Sequence, residues 1–205
     1  MLGALSILGV NMDTTIHKCK ECGFEFHYSG KKINYCPGCG ALTSEWREIF
    51  KDLLQLADVD KKLSDSISLF NKNAYLDAAR TALILLESEL KNKGNTDKFG
   101  YPLVNEVLGF EYDNSNNEFT REPKIKINDL GSNLERNEQK GIEQLVHGLF
   151  RGLRNILMHK QVDLSPINGL TIIVLCNMII DIINNGSIDK TRYCEWKLIN
   201  PKNST

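Results

Sequence analysis

The sequence predicts a mainly α-helical protein: an antiparallel helical bundle with a small β ribbon at its N-terminal end. Four of the six cysteines sit in two C-x-x-C pairs within residues 19–39. Beyond Thr43, long stretches place apolar residues every three or four positions, the period of a helix with one buried face. Period-2 alternation is confined to the cysteine segment and to one polar insert. At 205 residues the chain holds one helical core and a small appendage. With 41% hydrophobic and 25% charged residues it has an ordinary globular composition. The formal net charge of -1 gives no overall field for a polyanion, so any nucleic-acid binding must come from a local cluster of basic groups.

The opening "MLGALSILGV" is apolar but lacks a basic leading region and a small-residue cleavage pattern, and it is too short to span a bilayer. Residues 1–16 are read as an apolar N-terminal arm, or as an upstream start before Met12, with a degenerate signal as the alternative. No transmembrane segment is expected, and the expected location is cytoplasmic.

Residues 17–42 follow as a ribbon. Cys19 and Cys22 are separated from Cys36 and Cys39 by thirteen residues, and "GFEFHYSGKKINY" between them alternates like a hairpin turning at Ser29–Gly30. Each C-x-x-C can aim two thiolates at one metal, so four at this spacing predict one tetrahedral zinc per chain. Disulfides or a redox pair would need a secretory context or a thioredoxin-like βαβ pattern, and neither is visible. A shell filled by four cysteines leaves no place for water, so the predicted zinc is structural. Lys18, Lys20, Lys31 and Lys32 interleave with Phe24, Phe26, Tyr28 and Tyr35. Such aromatics either stack on RNA bases or cover the ribbon's own metal core. Cys176 lies in an apolar run and Cys194 in the tail, and both are read as plain thiols.

Residues 43–58 read as a linker helix, with Trp46, Ile49, Phe50, Leu53, Leu54 and Ala57 on one face. Residues 59–186 read as the bundle. "KKLSDSISLFNKN" is a weak helical stretch, and Tyr75–Asn95 is a strong core helix ended by Gly94. Residues 96–130 mix glycine, proline and a polar tip, and read as an insert with a small hairpin. "NEQKGIEQLVHGLFRGLRNILMH" resumes the helical period, with Ile142, Leu145, Val146, Leu149, Leu153 and Leu157 in phase. The run "TIIVLCNMIIDII" is interrupted by Asn177 and Asp181, so the last helix, Ser165 to Asn184, is a core helix rather than a membrane span. Residues 187–205 form a tail without pattern.

The chemistry concentrates in "GLRNILMHK". Asn155 and His159, at i and i+4, share one helix face, and the long Arg154 side chain sits one step around it. Histidine exchanges protons near neutral pH, and arginine can grip two phosphate oxygens while negative charge builds. RNA carries its own nucleophile, the 2′-hydroxyl, so such a set can cleave it without a metal. Arg151 and Lys160 add flanking positive charge as candidate RNA contacts. Gly148 and Gly152 leave a bare strip where a second copy of the helix can approach. A cationic last turn also suits the helix dipole, which is the competing structural reading of the same residues. His147 reads as a packing or surface histidine. Glu138 and Glu143 are candidates to orient cleft residues, or are simply solvated.

"RNILMH" resembles the R-x4-6-H signature of HEPN ribonucleases, which has a polar residue directly after the arginine. "AARTALILLESELK" is similar to the earlier core helix of that fold. The longer run from Asn137 to His159 resembles the Ymh-type branch of HEPN proteins, and the likeness covers about residues 60–185. The branch usually has proline after the arginine–asparagine pair, where this chain has Ile156. The resemblance implies a homodimer with both motifs in one cleft and metal-independent endoribonuclease activity in toxin or phage-defence systems. It also implies an antitoxin or other defence-system protein as a partner. Carried over, His159 transfers the proton, Arg154 clamps the phosphate and Asn155 orients. The competing class is a non-catalytic interaction module in which this face only seals a dimer.

Overall fold

The computed structural model describes residues 15–28, 35–56, 59–160 and 162–185. The expected N-terminal arm up to Thr14, the turn at Ser29–Gly30 and the tail with Cys194 lie outside the described residues. The chain divides into two compact units, residues 1–53 and 54–205. It is mainly helical, with a small two-stranded sheet beside a cysteine cluster near its N-terminus.

In the first unit, β1 (Thr15–Lys18) pairs antiparallel with β2 (Glu25–Tyr28), with Ile16 opposite His27 and Lys18 opposite Glu25. Lys18 and Glu25 form an ion pair at 3.1 Å. The described hairpin therefore turns through the first cysteine pair. Two backbone bonds, Gly23 N–H to the Cys19 carbonyl and Cys19 N–H to the Phe24 carbonyl, both 2.9 Å, make this turn. The second pair repeats it with Gly40 to Cys36 at 2.8 Å and Cys36 to Ala41 at 2.7 Å. Gly23 and Gly40 follow the second cysteine of each pair at φ +76° and +74°, a left-handed backbone that glycine adopts without steric cost. Phe24 stacks near Phe26 (centroids 6.3 Å), and a side-chain carbon at Gly38 would come within 2.8 Å of the Phe24 ring. Part of the ribbon's aromatic surface thus covers its own turns. Helix α1 spans Ser44–Leu56, close to the expected 43–58.

In the second unit, a 3₁₀ turn at Lys61–Leu63 leads into α2 (Ser64–Asn71) and then α3 (Tyr75–Gly94). Ala78, Ala79, Ala82, Leu83, Leu86 and Leu90 give α3 a buried stripe whose small residues let α7 (Pro166–Asn185) lie along it. Gly169 of α7 meets Tyr75 at the start of α3, and Lys93 at the end of α3 reaches the Ile183 carbonyl. These two helices therefore run parallel, while residues 154–160 descend α3 in the opposite sense, Arg154 meeting Glu87 and Leu157 meeting Arg80. By length and composition α7 is apolar enough to cross a membrane, but most of it is buried in this bundle. It is a core helix, as its interrupting Asn177 suggested: the Asn177 side chain accepts the Asp60 N–H at 2.8 Å. Gly94 does not end α3 by its own conformation. Asn95 supplies the left-handed cap (φ 45°), and Gly94 is needed because Val107 occupies the space a side chain would fill.

The expected insert contains the predicted hairpin, β3 (Glu111–Asp113) with β4 (Glu118–Arg121), and also a helix that the sequence reading did not foresee, α4 (Gly100–Val107). Its glycine and proline masked it. Both fall in the first turn, where proline's missing N–H costs nothing. Ile125, Ile127 and Leu130 bring the following segment back into the core. Gln139 of α5, fully buried, ties it down by donating to the Leu108 and Ile125 carbonyls (2.9 and 3.0 Å) and accepting the Ile127 N–H (3.0 Å).

Candidate functional site

The basic motif lies where one long helix changes its winding. Helix α5 (Asn133–Gly148) starts at Ser132, whose hydroxyl accepts the Glu135 N–H while the Glu135 carboxylate accepts the Ser132 N–H. From Leu149 to Arg154 the chain makes a π-helical turn, then returns to α geometry in α6 (Asn155–His159). A π turn inserts extra chain per turn and shifts the phase of everything after it. The six leucine, isoleucine and valine positions in phase by sequence do not share one environment. Val146, Leu149 and Leu157 are buried, but Leu145 and Leu153 are exposed at 38% and 40%. The buried line instead runs Gln139, Glu143, Val146, Phe150 and Leu157. Leu145, Leu153 and Ile156 lie exposed, and a side-chain carbon added at Gly141, Gly148 or Gly152 would meet nothing among the described residues.

Arg154 is half-sequestered. Its Nη2 donates to Oε2 of Glu87 on α3 at 2.7 Å, with side-chain exposures of 19% and 10%. The other carboxylate oxygen of Glu87 accepts the Gly100 N–H at 2.8 Å. One carboxylate thus holds both the arginine and the first residue of α4. The Arg154 Nε is buried without a partner, and its guanidinium carbon lies 5.9 Å from the Phe150 ring centre.

The helix ends where the sequence placed its end. Lys160 takes an extended backbone (φ -120°, ψ 142°). Two carbonyls at this end are capped from α3: Arg80 donates Nε to the Leu157 carbonyl at 2.7 Å and Nη2 to that of Lys160 at 3.4 Å. Asn155, His159, Arg151 and Lys160 are all exposed. The α6 backbone keeps Asn155 and His159 on one face, as i and i+4. Arg154 is directed toward α3 through Glu87 rather than free to swing.

His147 packs, as its neighbours suggested. Its ring lies 4.4 Å from that of Tyr101, and Nε2 faces the buried Glu143 carboxylate at 3.5 Å, which Lys140 neutralises at 2.7 Å. Burial holds this imidazole below the ordinary histidine range despite Glu143. Arg151 lies over the other partner of this group, with its guanidinium 4.6 Å from the Tyr101 ring centre. Glu138 accepts from Asn128 at 3.1 Å and stays at the surface.

Glu87, Arg80 and Tyr101 were not found by sequence. Glu87 carried a signal, since it falls in phase with Leu83, Leu86 and Leu90 on the buried stripe of α3, where a charge needs a partner.

The second cluster is the cysteine set. The Sγ atoms of Cys19, Cys22, Cys36 and Cys39 lie within 4.8 Å of one another, with Cys19–Cys39 and Cys22–Cys36 at 3.8 Å. A tetrahedral thiolate centre with metal–sulfur bonds of about 2.3 Å has edges of about 3.8 Å, so the four sulfurs fit a metal ion. The Gly38 N–H donates to the Cys36 sulfur at 3.3 Å. Hydrogen bonding from the Cys22 amide holds the Cys19 thiol down to about 7. Cys39, in spite of the Ala41 amide, is pushed up to about 12 by desolvation and its sulfur neighbours. Bringing all four sulfurs to thiolates at this spacing requires a cation among them. Cys176 is fully buried and its thiol pushed up to about 12 by burial, which fits a small apolar core residue.

A family model, Hypoth_Ymh, described as a protein of unknown function, matches residues 58–183. That range holds the motif and leaves out the four cysteines. No curated protein matches the chain, and no solved structure does.

Proposed function

Since the chain belongs to the Hypoth_Ymh family by a match over residues 58–183, we propose that it is a HEPN-type, metal-independent endoribonuclease that acts as a toxin or phage-defence effector. The observation that carries this reading is the exposed pair Asn155 and His159 at a capped helix end, beside an arginine whose guanidinium is held by Glu87. His159 moves the proton of the 2′-hydroxyl as that oxygen attacks the adjacent phosphorus and the 5′-oxygen leaves. Arg154, with Nη2 on Glu87 and Nε buried, turns its outer N–H groups to the phosphate oxygens as charge builds. Asn155 orients the histidine or the phosphate, and Arg151 and Lys160 hold neighbouring phosphates of the RNA.

One motif offers few groups to surround a phosphate, so the working form is a homodimer. The exposed Leu145, Leu153 and Ile156 together with the open strip at Gly148 and Gly152 support this. An antitoxin or other defence-system protein is the partner that would restrain such an enzyme. The four cysteines hold one structural zinc per chain and take no part in cleavage, because their sulfurs fill the coordination shell.

The test is RNA cleavage by the purified protein in chelator, compared with His159→Ala. His159 is exposed and, among the described residues, makes no side-chain hydrogen bond or ion pair, so its loss spares folding. A drop of about a hundredfold or more, with 2′,3′-cyclic phosphate and 5′-hydroxyl products, is expected. Undiminished cleavage by folded His159→Ala, or a strict need for added magnesium, would return the bundle to the interaction-module reading.

A further inference from the structure

Phe99 and Tyr101 stand out of the surface, 68% and 46% exposed, on either side of Gly100. Two large rings standing in water side by side, at positions the fold fixes, make an apolar patch of the kind that serves binding. Both positions are fixed. Gly100 turns the chain at φ +60°, and its N–H is bound by Glu87, the same carboxylate whose other oxygen holds Arg154. The Gly100 amide between the two rings and the Arg154 guanidinium therefore bind the two oxygens of one carboxylate.

A cation accompanies each ring: Lys91 Nζ lies 5.9 Å from the Phe99 ring centre and Arg151 4.6 Å from that of Tyr101. His147 braces Tyr101 from α5. The carboxylates packed nearby are already neutralised, Glu87 by Arg154 and Glu106 by Lys98 at 2.6 Å and Lys124 at 2.5 Å. Among the described residues neither Lys91 nor Arg151 has an ion-pair partner. A mostly open Phe99 ring beside Lys91, next to a Tyr101 ring held by His147 and Arg151, suits an unpaired strand, which offers a base face and a phosphate at each step. A duplex hides its base faces and suits them poorly.

We propose that Phe99 and Tyr101 form a stacking subsite for an unpaired base of single-stranded RNA whose phosphate lies at Arg154. This rests on the ribonuclease reading and adds to it the substrate class, single-stranded RNA, and a base-binding role for the turn before α4.

The test uses the full chain carrying His159→Ala, so that RNA is bound without being cut. Fluorescence anisotropy compares a labelled twelve-nucleotide single strand, the same strand in a duplex, and a strand with one central abasic site. Single-strand binding should weaken about five- to a hundredfold with Phe99→Ala or Tyr101→Ala, while Phe99→Trp keeps it. The abasic strand should bind the parent more weakly and be less sensitive to either substitution. Circular dichroism should be unchanged for Phe99→Ala, whose ring is mostly in water. If the parent binds single strands and both alanine variants match it, the subsite is refuted and the nuclease reading stands. Equal losses on the abasic and the complete strand, or a parent that prefers the duplex, also refute it. If the parent binds no RNA and the unsubstituted protein cuts none, the ribonuclease reading fails and the subsite with it.

Discussion

Removing the carboxylate of Glu87 should unsettle the bundle more than any other single surface-reaching charge. Glu87→Ala leaves the Arg154 guanidinium facing α3 without its partner at 2.7 Å and orphans the Gly100 N–H, bound at 2.8 Å. Breaking a buried ion pair from one side typically costs about 3–5 kcal/mol. Arg154 keeps 19% exposure, so water recovers part of that charge and the lower end applies, about 3 kcal/mol. Glu87→Gln keeps an acceptor for Gly100 and loses only the charge, so it should cost about half as much. At about 2–4 °C per kcal/mol, Glu87→Ala should lower Tm by roughly 6–12 °C. Arg154→Ala should destabilise similarly, by stranding the buried carboxylate. The double variant Glu87→Ala/Arg154→Ala removes both charges and should fall short of the sum of the singles by about 1–3 kcal/mol. Urea titrations followed by helical circular dichroism at pH 7 measure all four proteins. Strict additivity, or a Glu87→Ala protein within about 0.5 kcal/mol of the parent, would refute a coupled, stabilising pair.

Metal analysis should find about one zinc per chain, and Cys36→Ser should release it and make the ribbon protease-sensitive, since so small an apolar core depends on metal for its folding. A metal-free ribbon that resists protease would count against this. Gly152→Trp points into space that nothing among the described residues occupies, so the variant should fold normally, run as a monomer in light scattering and lose cleavage; a cutting monomer would sink the composite site. His147 titrates below its unfolded value because it is partly buried, with Glu143 opposing. The folded state therefore binds this proton less readily than the unfolded chain. Its contribution to stability is full above about pH 6.5 and falls as pH drops from there through the folded value. His147→Gln should flatten that part of the stability profile, and an unchanged acid slope would assign the effect elsewhere.

The motif chemistry was legible because spacing alone constrains it. Two C-x-x-C pairs bring four sulfurs to one point whatever surrounds them, and Asn155 and His159 share a face in any α-helix. Long apolar periods likewise announced α1, α3 and α7, whose burial depends mainly on having one greasy side. Helix α4 hid behind Gly100 and Pro102, residues that break a helix interior but sit harmlessly in its first turn. The orientation of Arg154 was beyond sequence reasoning, because it is set by Glu87, 67 positions away, and by a π turn that no local preference announces. That turn also left Leu153 in solvent while Phe150 and Leu157 went in, and Leu145, just before it, already faces out of α5 beside the buried Val146. A rotation of one residue along a helix decides which face meets the core, and only the packing of α5 against Leu108, Ile125 and Ile127 through Gln139 determines where that rotation falls. Local spacing thus determined which reactive groups this protein has, and tertiary packing decided which of them are held and which face outward, because buried charges and helix phase answer to distant neighbours.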